Sequence, residues 1–213
     1  MNASVVSVHI GPVAPLAPGD VPSGFVKHAT AGRVGVGPLG LDGDAQADLR
    51  VHGGPDKAVY GYGVGCYAEW RVEMPMHAAL FGPGGTGENL ALDGLAEADV
   101  CVGDLVAVGS AVLRVTQPRR PCFKFALRYA DARMPRAMAR NGRCGWYYRV
   151  VETGDVGAGD RLALLDRPHP DWSIARLFSG VTRRAMDSNE RAALLTLTHL
   201  APAWRRQVAR TLL

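Results

Sequence analysis

The chain has 213 residues, of which 47% are hydrophobic and 21% charged, and its formal net charge is +4. These values exclude a disordered chain and favour one domain with an appendage over two equal domains. No apolar stretch reaches the ~18 residues of a membrane span, and residues 1–15 lack an export signal, so a soluble cytoplasmic protein with no membrane partner is expected.

Residues 1–166 predict a mainly β domain. Seven short apolar or alternating runs indicate strands at residues 4–10, 58–62, 89–92, 105–108, 112–116, 146–151 and 162–165. Glycine-rich turns separate these runs. Two helices interrupt them, near residues 64–72 and 135–140. Many short strands joined by glycine turns favour a barrel or a sandwich.

After a proline-containing linker at residues 167–171, a period of 3.6 residues predicts three short helices in the segment 171–213. Ser173 can cap the first helix, Asp187 with Glu190 resembles a capping box for the second, and Pro202 suits the first turn of the third. The third apolar face consists of Trp204, Val208, Leu212 and Leu213. Helices this short must pack on one another, on the barrel or on a second subunit, so a homodimer is possible.

The segment 171–213 also carries the whole excess of positive charge, because it holds seven arginines and three acidic residues. An arginine-rich end could contact nucleic acid. Its arginines fall at helical spacings, however, and no aromatic series is interleaved with them. A solvated helix face is therefore the better interpretation, and no nucleic-acid polymer is expected as a partner.

Cys122 has the most informative setting of the four cysteines. It lies in residues 117–124, Gln-Pro-Arg-Arg-Pro-Cys-Phe-Lys, directly after a predicted strand. Nearby cations favour the thiolate, which is the form that attacks electrophiles or binds a soft metal. The alternative is a small buried hydrophobe, the usual role of a free cysteine. That ordinary role is predicted for Cys66, Cys101 and Cys144, which have no polar neighbourhood.

Lysine is rare in this arginine-rich chain, with only Lys27, Lys57 and Lys124 against 21 arginines. A lysine ammonium is compact, and its pKa shifts readily on burial. The three lysines therefore either mark positions that need such a group or reflect chance.

Two glycine-containing turns could contribute to a site. The turn at residues 52–57, His-Gly-Gly-Pro-Asp-Lys, could hold a phosphate through its backbone N–H groups and Lys57, or it could be a plain hairpin bend. The same alternatives apply to residues 86–90, Thr-Gly-Glu-Asn-Leu. Neither turn matches the motif for nucleotide hydrolysis or dinucleotide binding.

Taken together, the motifs resemble a MOSC domain of the YiiM type, the hydroxylaminopurine resistance family. The resemblance lies in residues 39–44, 51–57, 87–90, 103–104, 117–124 and 145–147, and it covers nearly the whole chain. It implies a β-barrel with short helices over residues 1–166, followed by a three-helix tail over 171–213.

The resemblance further implies a molybdenum cofactor, a molybdopterin, in a basic pocket. It assigns Cys122 as the metal ligand and places Lys27, Asn89 and Lys124 at family site positions. The residues His52, Asp56, Lys57 and Arg119 match motif positions that line the pocket. In this hypothesis Lys124 or Lys27 anchors charge or delivers a proton, and Arg119 with Lys57 binds the cofactor phosphate.

The implied activity is the reduction of N-hydroxylated small molecules, such as hydroxylaminopurine base analogues, to amines. Side chains without a second nearby cysteine do not supply two electrons reversibly, so the metal cofactor must do so. Electrons are expected from a separate flavin reductase, since no flavin or iron-sulfur motif is visible. The alternative is a protein that carries the molybdenum cofactor or a sulfane sulfur without turnover.

Overall fold

A computed structural model describes residues 2–49 and 51–210 of the protein. The strands are β1 (Ala3–Ile10), β2 (Ala14–Leu16), β3 (Val21–Ser23), β4 (His28–Ala29), β5 (Val34–Gly37), β6 (Gly40–Leu41), β7 (Val59–Gly63), β8 (Leu90–Asp93), β9 (Leu105–Val108), β10 (Ala111–Pro118), β11 (Trp146–Glu152), β12 (Gly154–Val156) and β13 (Arg161–Asp166). The α-helices are α1 (Cys66–Glu73), α2 (Phe123–Tyr129), α3 (Met134–Asn141), α4 (Ile174–Thr182), α5 (Ser188–Thr196) and α6 (Pro202–Arg210). Two 3-10 helices lie at Pro55–Lys57 and Pro75–Leu80.

Seven strands form a closed barrel in the order β13-β9-β10-β11-β7-β8-β1. The barrel closes where β1 pairs with β13, with Ala3 opposite Leu162. Neighbouring strands are antiparallel except β7 and β8, whose parallel pairing requires the crossover that contains α1. These are the seven strands that the sequence predicts, so the predicted β-barrel is confirmed.

The remaining short strands build the surroundings of the barrel. β12, β5 and β6 form a three-stranded sheet, β2 and β3 form a hairpin, and β4 extends the barrel sheet beside β1. The sequence prediction misses them because each has only two to four residues, too few to establish an alternating pattern. Five of these short strands, β2 to β6, lie in the described part of the chain between β1 and β7.

The predicted helices are present, and α2 is an additional one that begins directly after Cys122. In the tail, the Ser173 hydroxyl accepts a hydrogen bond from Arg176 N, and Asp187 with Glu190 forms the predicted capping box. Pro202 begins α6 as predicted. Of the third apolar face, Trp204 and Val208 are buried, whereas Leu212 and Leu213 lie outside the described residues.

The tail packs directly on the barrel. The indole Nε1 of Trp204 donates a hydrogen bond to the carbonyl of Pro118 at the end of β10, at 2.9 Å. The backbone N–H of Ala201 donates to the carbonyl of Thr116 at 3.1 Å. Buried Leu177 and Phe178 join the same hydrophobic cluster as the barrel side chains. These contacts fix the tail beside the segment that carries Cys122.

None of the helices within residues 2–49 and 51–210 has the length and hydropathy needed to cross a bilayer.

Candidate functional site

A cleft of about 630 Å³, counting the solvent at its mouth, opens beside the barrel. One wall comes from the segment between β1 and β7, and the other comes from β7, the loop before β8, the residues after β10, β11 and the start of α2. Seven of the eight predicted site residues line it, namely Lys27, His52, Lys57, Asn89, Arg119, Cys122 and Lys124. Sequence positions almost 100 residues apart thus meet in one cavity.

Asp56 is the predicted site residue that the structure places outside the cleft lining. Its carboxylate pairs with Arg149 at 2.6 Å on the protein surface. Its backbone carbonyl accepts hydrogen bonds from the side chains of Thr116, at 2.7 Å, and Gln117, at 3.0 Å. The prediction that Asp56 lines the pocket is therefore corrected: Asp56 holds the 52–57 turn against β10.

Cys122 is partly exposed in the cleft and precedes the first turn of α2. Burial alone would raise the pKa of its thiol, but a hydrogen bond with the His52 side chain, the positive charge of Arg119 and the backbone N–H of Phe125 together lower it to about 6. At neutral pH the thiolate predominates. Cys66, Cys101 and Cys144 are buried, and burial raises the pKa of each thiol.

Arg119 is 5% exposed and lies among aromatic rings. Its guanidinium carbon is 5.2 Å from the ring centre of Phe25, 5.1 Å from that of Tyr60 and 5.4 Å from that of Phe125. It donates hydrogen bonds to the Tyr60 hydroxyl and the Thr86 carbonyl. Within the described residues no carboxylate pairs with it, so this buried cation has charge available for an anion.

Lys27 forms a buried ion pair with Asp44, whose side chain is 1% exposed. The Asp44 carboxylate also accepts hydrogen bonds from the backbone N–H of Gly11 and from the side chains of Gln46 and Asn89. Burial lowers the pKa of Lys27 despite the opposing effect of Asp44. The charge of Lys27 is therefore balanced by Asp44, and little of it is available to a ligand. Asp44 is a site residue that the sequence analysis missed.

Asn89 lines the cleft, but its hydrogen-bonding capacity is used within the fold. Its Nδ2 group donates to the carbonyl of His9 at 3.1 Å and to Asp44 at 2.9 Å. Its Oδ1 atom accepts from the backbone N–H of Tyr60 at 3.0 Å. With both amide hydrogens engaged, Asn89 joins β1, β7 and the Lys27–Asp44 pair, and it has no donor left for a ligand.

The ammonium groups of the other two lysines bond to backbone carbonyls, whereas that of Lys27 pairs with a carboxylate. Lys124 is 8% exposed and donates to the carbonyl of Pro22 at 2.8 Å, and no carboxylate pairs with it within residues 2–49 and 51–210. Lys57 donates to the carbonyl of Val51 and lies 5.9 Å from the ring centre of Tyr147. Burial, followed by the nearby charge of Arg120, lowers the pKa of Lys57. All three lysines of the chain therefore line one cleft.

Tyr60, Tyr147 and Phe25 form an aromatic part of the lining that the sequence analysis did not assign to the site. Tyr60 and Tyr147 belong to the adjacent strands β7 and β11, and their ring centres are 5.1 Å apart. Gly87 lets the wall approach closely, because its φ is 84° and a Cβ there would come within 3.0 Å of the Phe25 carbonyl. Tyr60 and Tyr147 lie in strands and Phe25 lies in a loop, and none of the three has a local sequence feature that signals this role.

The cleft combines a thiolate-forming cysteine with an excess of positive charge. Its lining contains five lysine or arginine side chains and, among the described residues, one carboxylate, that of Asp44. The Nδ1 atom of His52 is buried and has no hydrogen-bond partner in the described part of the chain. No cluster of three or more His, Cys, Asp or Glu side chains there could hold a metal ion alone.

The family model of the MOSC domain matches residues 48–163, which include Cys122 but not Lys27 or Asp44. Protein YiiM of Escherichia coli (strain K12) is 35% identical over 185 residues, covering 87% of this chain and 82% of that protein. A protein of Gibberella moniliformis (strain M3125 / FGSC 7600) named Reductase is 36% identical over 172 residues. Those residues cover 80% of this chain, which spans 30% of the length of that reductase.

Solved structures show the same fold over the full chain. YiiM from Geobacillus stearothermophilus superposes with a TM-score of 0.83 at 28% identity, covering 99% of this chain and 100% of that one. YiiM from Escherichia coli superposes with a TM-score of 0.81 at 29% identity, covering 99% and 92% of the two chains. The coverage includes the helical tail.

Proposed function

Since this chain belongs to the MOSC domain family, and within it to the YiiM type, we propose that it is a molybdenum-cofactor-dependent reductase of N-hydroxylated compounds. The reaction converts an N-hydroxyl group and two hydrogen equivalents, as two electrons and two protons, into the amine and water. The observation that carries the proposal is the Cys122 thiol, whose pKa is lowered to about 6 inside a basic cleft. Such a thiolate is suited to a soft metal.

Three features of the cleft fit a molybdenum cofactor. Cys122 offers the sulfur ligand, Arg119 offers a buried charge without a carboxylate partner in the described chain, and His52 has a buried Nδ1 atom without a partner there. An anionic pterin phosphate would satisfy the second and a pterin polar group the third. When bound, the cofactor would supply a metal that changes oxidation state by two, which the side chains alone do not provide.

The residues of the chain would then have distinct tasks. Cys122 would hold the metal, and Arg119 with Lys57 would anchor the cofactor phosphate. Lys124 would hold a proton at Nζ for the oxygen that leaves as water, because its ammonium is nearly buried and unpaired with a carboxylate among the described residues. Lys27 is less suited to either task, because Asp44 already pairs with it.

Electrons are proposed to come from a separate flavin reductase. This chain spans 30% of the length of the fungal protein named Reductase. The aromatic walls formed by Phe25, Tyr60 and Tyr147 suit a planar N-hydroxylated substrate of the base-analogue type.

The test compares Cys122→Ser with Cys101→Ser, both expressed in cells that make the cofactor. Cys101 is buried outside the cleft and serves as the matched control. Molybdenum and pterin content are measured along with reduction of an N-hydroxylated base by a flavin reductase and NADH. Cys122→Ser is expected to lose both metal and turnover, while Cys101→Ser retains them.

Full molybdenum content and full turnover in Cys122→Ser would refute the ligand assignment. Bound cofactor without turnover in the wild-type protein, with electrons supplied, would favour a cofactor carrier. Sulfur released by cyanide from Cys122, without reductase activity, would favour the sulfane-sulfur carrier.

A further inference from the structure

A second basic surface lies outside the cleft, where the helical tail meets the Cys122 segment. It is a groove of about 920 Å³, counting the solvent at its mouth, between α3, α4, α6 and residues 120–121. Its apolar part includes Phe178, Val181 and Trp204, and its basic part consists of Arg120, Arg184 and Arg210. The groove thus offers an apolar floor with guanidinium groups around it.

Within the described residues the groove arginines have no internal partner, a property that they share in the tail with Arg206, an exposed residue outside the groove. Arg176 pairs with Glu190 at 2.7 Å, and Arg205 donates to three backbone carbonyls of the loop before α6. Within the described residues, Arg120, Arg184 and Arg210 form no ion pair and no side-chain hydrogen bond. Their guanidinium groups are therefore available to an external anion.

The backbone conformation of Arg184 is a second feature of the groove. It follows α4 and its capping residue Arg183, and its φ is 54°, in the left-handed region that favours glycine at the end of a helix. A side chain at such a position costs stability. The strained backbone of Arg184 lies where its side chain lines the groove, and strained residues of this kind cluster at ligand-binding sites.

The groove and the cleft share a wall. Arg120 lines both cavities, Pro121 lines the groove, and Cys122 lines the cleft. Arg120 is therefore the residue at which the cleft and the groove adjoin.

We propose, resting on the function proposed above, that the groove binds the phosphate of a phosphorylated substrate, an N-hydroxylated nucleotide whose base lies in the cleft. Guanidinium groups match phosphate oxygens in bidentate pairs, and several are suited to a charge near −2. Tyr147, which is less buried than Phe25 and Tyr60, offers aromatic surface in the cleft for the base. Arg184 and Arg210 hold the phosphate, and Arg120 lies between the two ends.

The first experiment measures binding to the cofactor-free chain, so that it does not depend on turnover. Adenosine 5′-monophosphate and adenosine are titrated calorimetrically into the wild type, Arg184→Gln and Arg210→Gln. Each variant is expected to bind the monophosphate about tenfold more weakly, the effect of one lost charge-assisted hydrogen bond. Arg206→Gln is the matched control, because Arg206 is an exposed residue of α6 outside the groove.

The second experiment compares kcat/KM for an N-hydroxylated nucleoside and its 5′-monophosphate with the loaded enzyme. The wild type is expected to prefer the monophosphate, and Arg184→Gln and Arg210→Gln are expected to reduce that preference about tenfold. Equal kcat/KM for the two substrates, or a preference that both variants keep, would overturn the inference. A weakened response to the electron-donor protein with unchanged phosphate preference would also overturn it, in favour of a protein-docking groove.

These experiments distinguish failure of the reductase proposal from failure of the phosphate-groove proposal. Absence of turnover with either substrate counts against the reductase, and the calorimetric comparison still decides whether the groove binds phosphate.

Discussion

The thiolate of Cys122 gives the most direct test of the site, through its dependence on His52. Of the interactions that lower the pKa of this thiol to about 6, the hydrogen bond with His52 is the largest. A hydrogen bond to a charged group contributes roughly 1.5–3 kcal/mol, equivalent to a pKa change of about 1 to 2. We therefore expect His52→Ala to raise the pKa of Cys122 by about that amount. Arg119 and the N–H of Phe125 remain, so the pKa stays below that of a free thiol.

The assay is the rate of Cys122 alkylation by iodoacetamide across pH, followed by peptide mass spectrometry on the cofactor-free chain. At pH 6 the thiolate fraction is expected to fall from roughly one half to between 1% and 10%, so the rate falls about 5- to 50-fold. At pH 9 the rates of the two proteins should converge. The three buried cysteines are internal references for unfolding.

His28→Ala is the matched control, because His28 is exposed on β4 and lies outside the cleft. It should leave the alkylation midpoint near pH 6. An unchanged midpoint in His52→Ala would show that His52 does not stabilise the thiolate. A wild-type midpoint near pH 9 would contradict the thiolate itself, and with it the proposed metal ligand.

Three further predictions concern stability. The free energy of unfolding of the wild type should increase relative to that of Cys122→Ser as pH rises from 6 to 9, by up to about 1.4 kcal/mol per pH unit, because only the unfolded chain keeps the thiol proton there. This gain is lost as pH falls through 6. A difference in urea midpoint between the two proteins that is the same at pH 6 and pH 8 would disprove it. Asp44→Asn should destabilise the protein by about 3 kcal/mol, measured by urea unfolding, because it leaves Lys27 buried without its partner. A loss of less than about 1 kcal/mol, the contribution of an exposed ion pair, would contradict this prediction. Arg184→Gly should stabilise the protein by about 1 kcal/mol, because glycine adopts a φ of 54° without steric strain. An unchanged or lower unfolding temperature would show that the backbone of Arg184 is not strained.

The barrel could be predicted because its strands carry a local signal. In β10 the buried residues Ala111, Leu113 and Val115 alternate with half-buried ones, so one strand reveals its own inner face. The short strands β2 to β6 have two to four residues each, too few for a clear alternation, and most of them pair with other short strands rather than with the barrel. The closing register, with Ala3 opposite Leu162, joins residues from the two ends of the domain and cannot be read from either strand alone.

The site was predictable to the extent that its chemistry is local. Cys122 could be identified because its cations are neighbours in sequence, and the rarity of lysine pointed to three residues that do line the cleft. Asp44 gave no such signal. Its partners Lys27, Gly11 and Asn89 are 17, 33 and 45 positions away along the chain. Local sequence therefore indicated most of the groups that line the cleft, and the fold determines which of their charges are already paired within the protein.

The same distinction explains why the 52–57 turn and the 117–124 segment depend on each other. Neither has a feature that specifies the position of the other, yet the Thr116 hydroxyl and the Gln117 amide both donate to the carbonyl of Asp56. That carbonyl fixes the turn against β10, and the turn carries His52 to the Cys122 thiol. The contribution of Asp56 is thus made by its backbone rather than by its carboxylate. A chain in which this turn shifts would keep the cysteine and its arginines in place, but it would lose the hydrogen bond that contributes most to forming the thiolate.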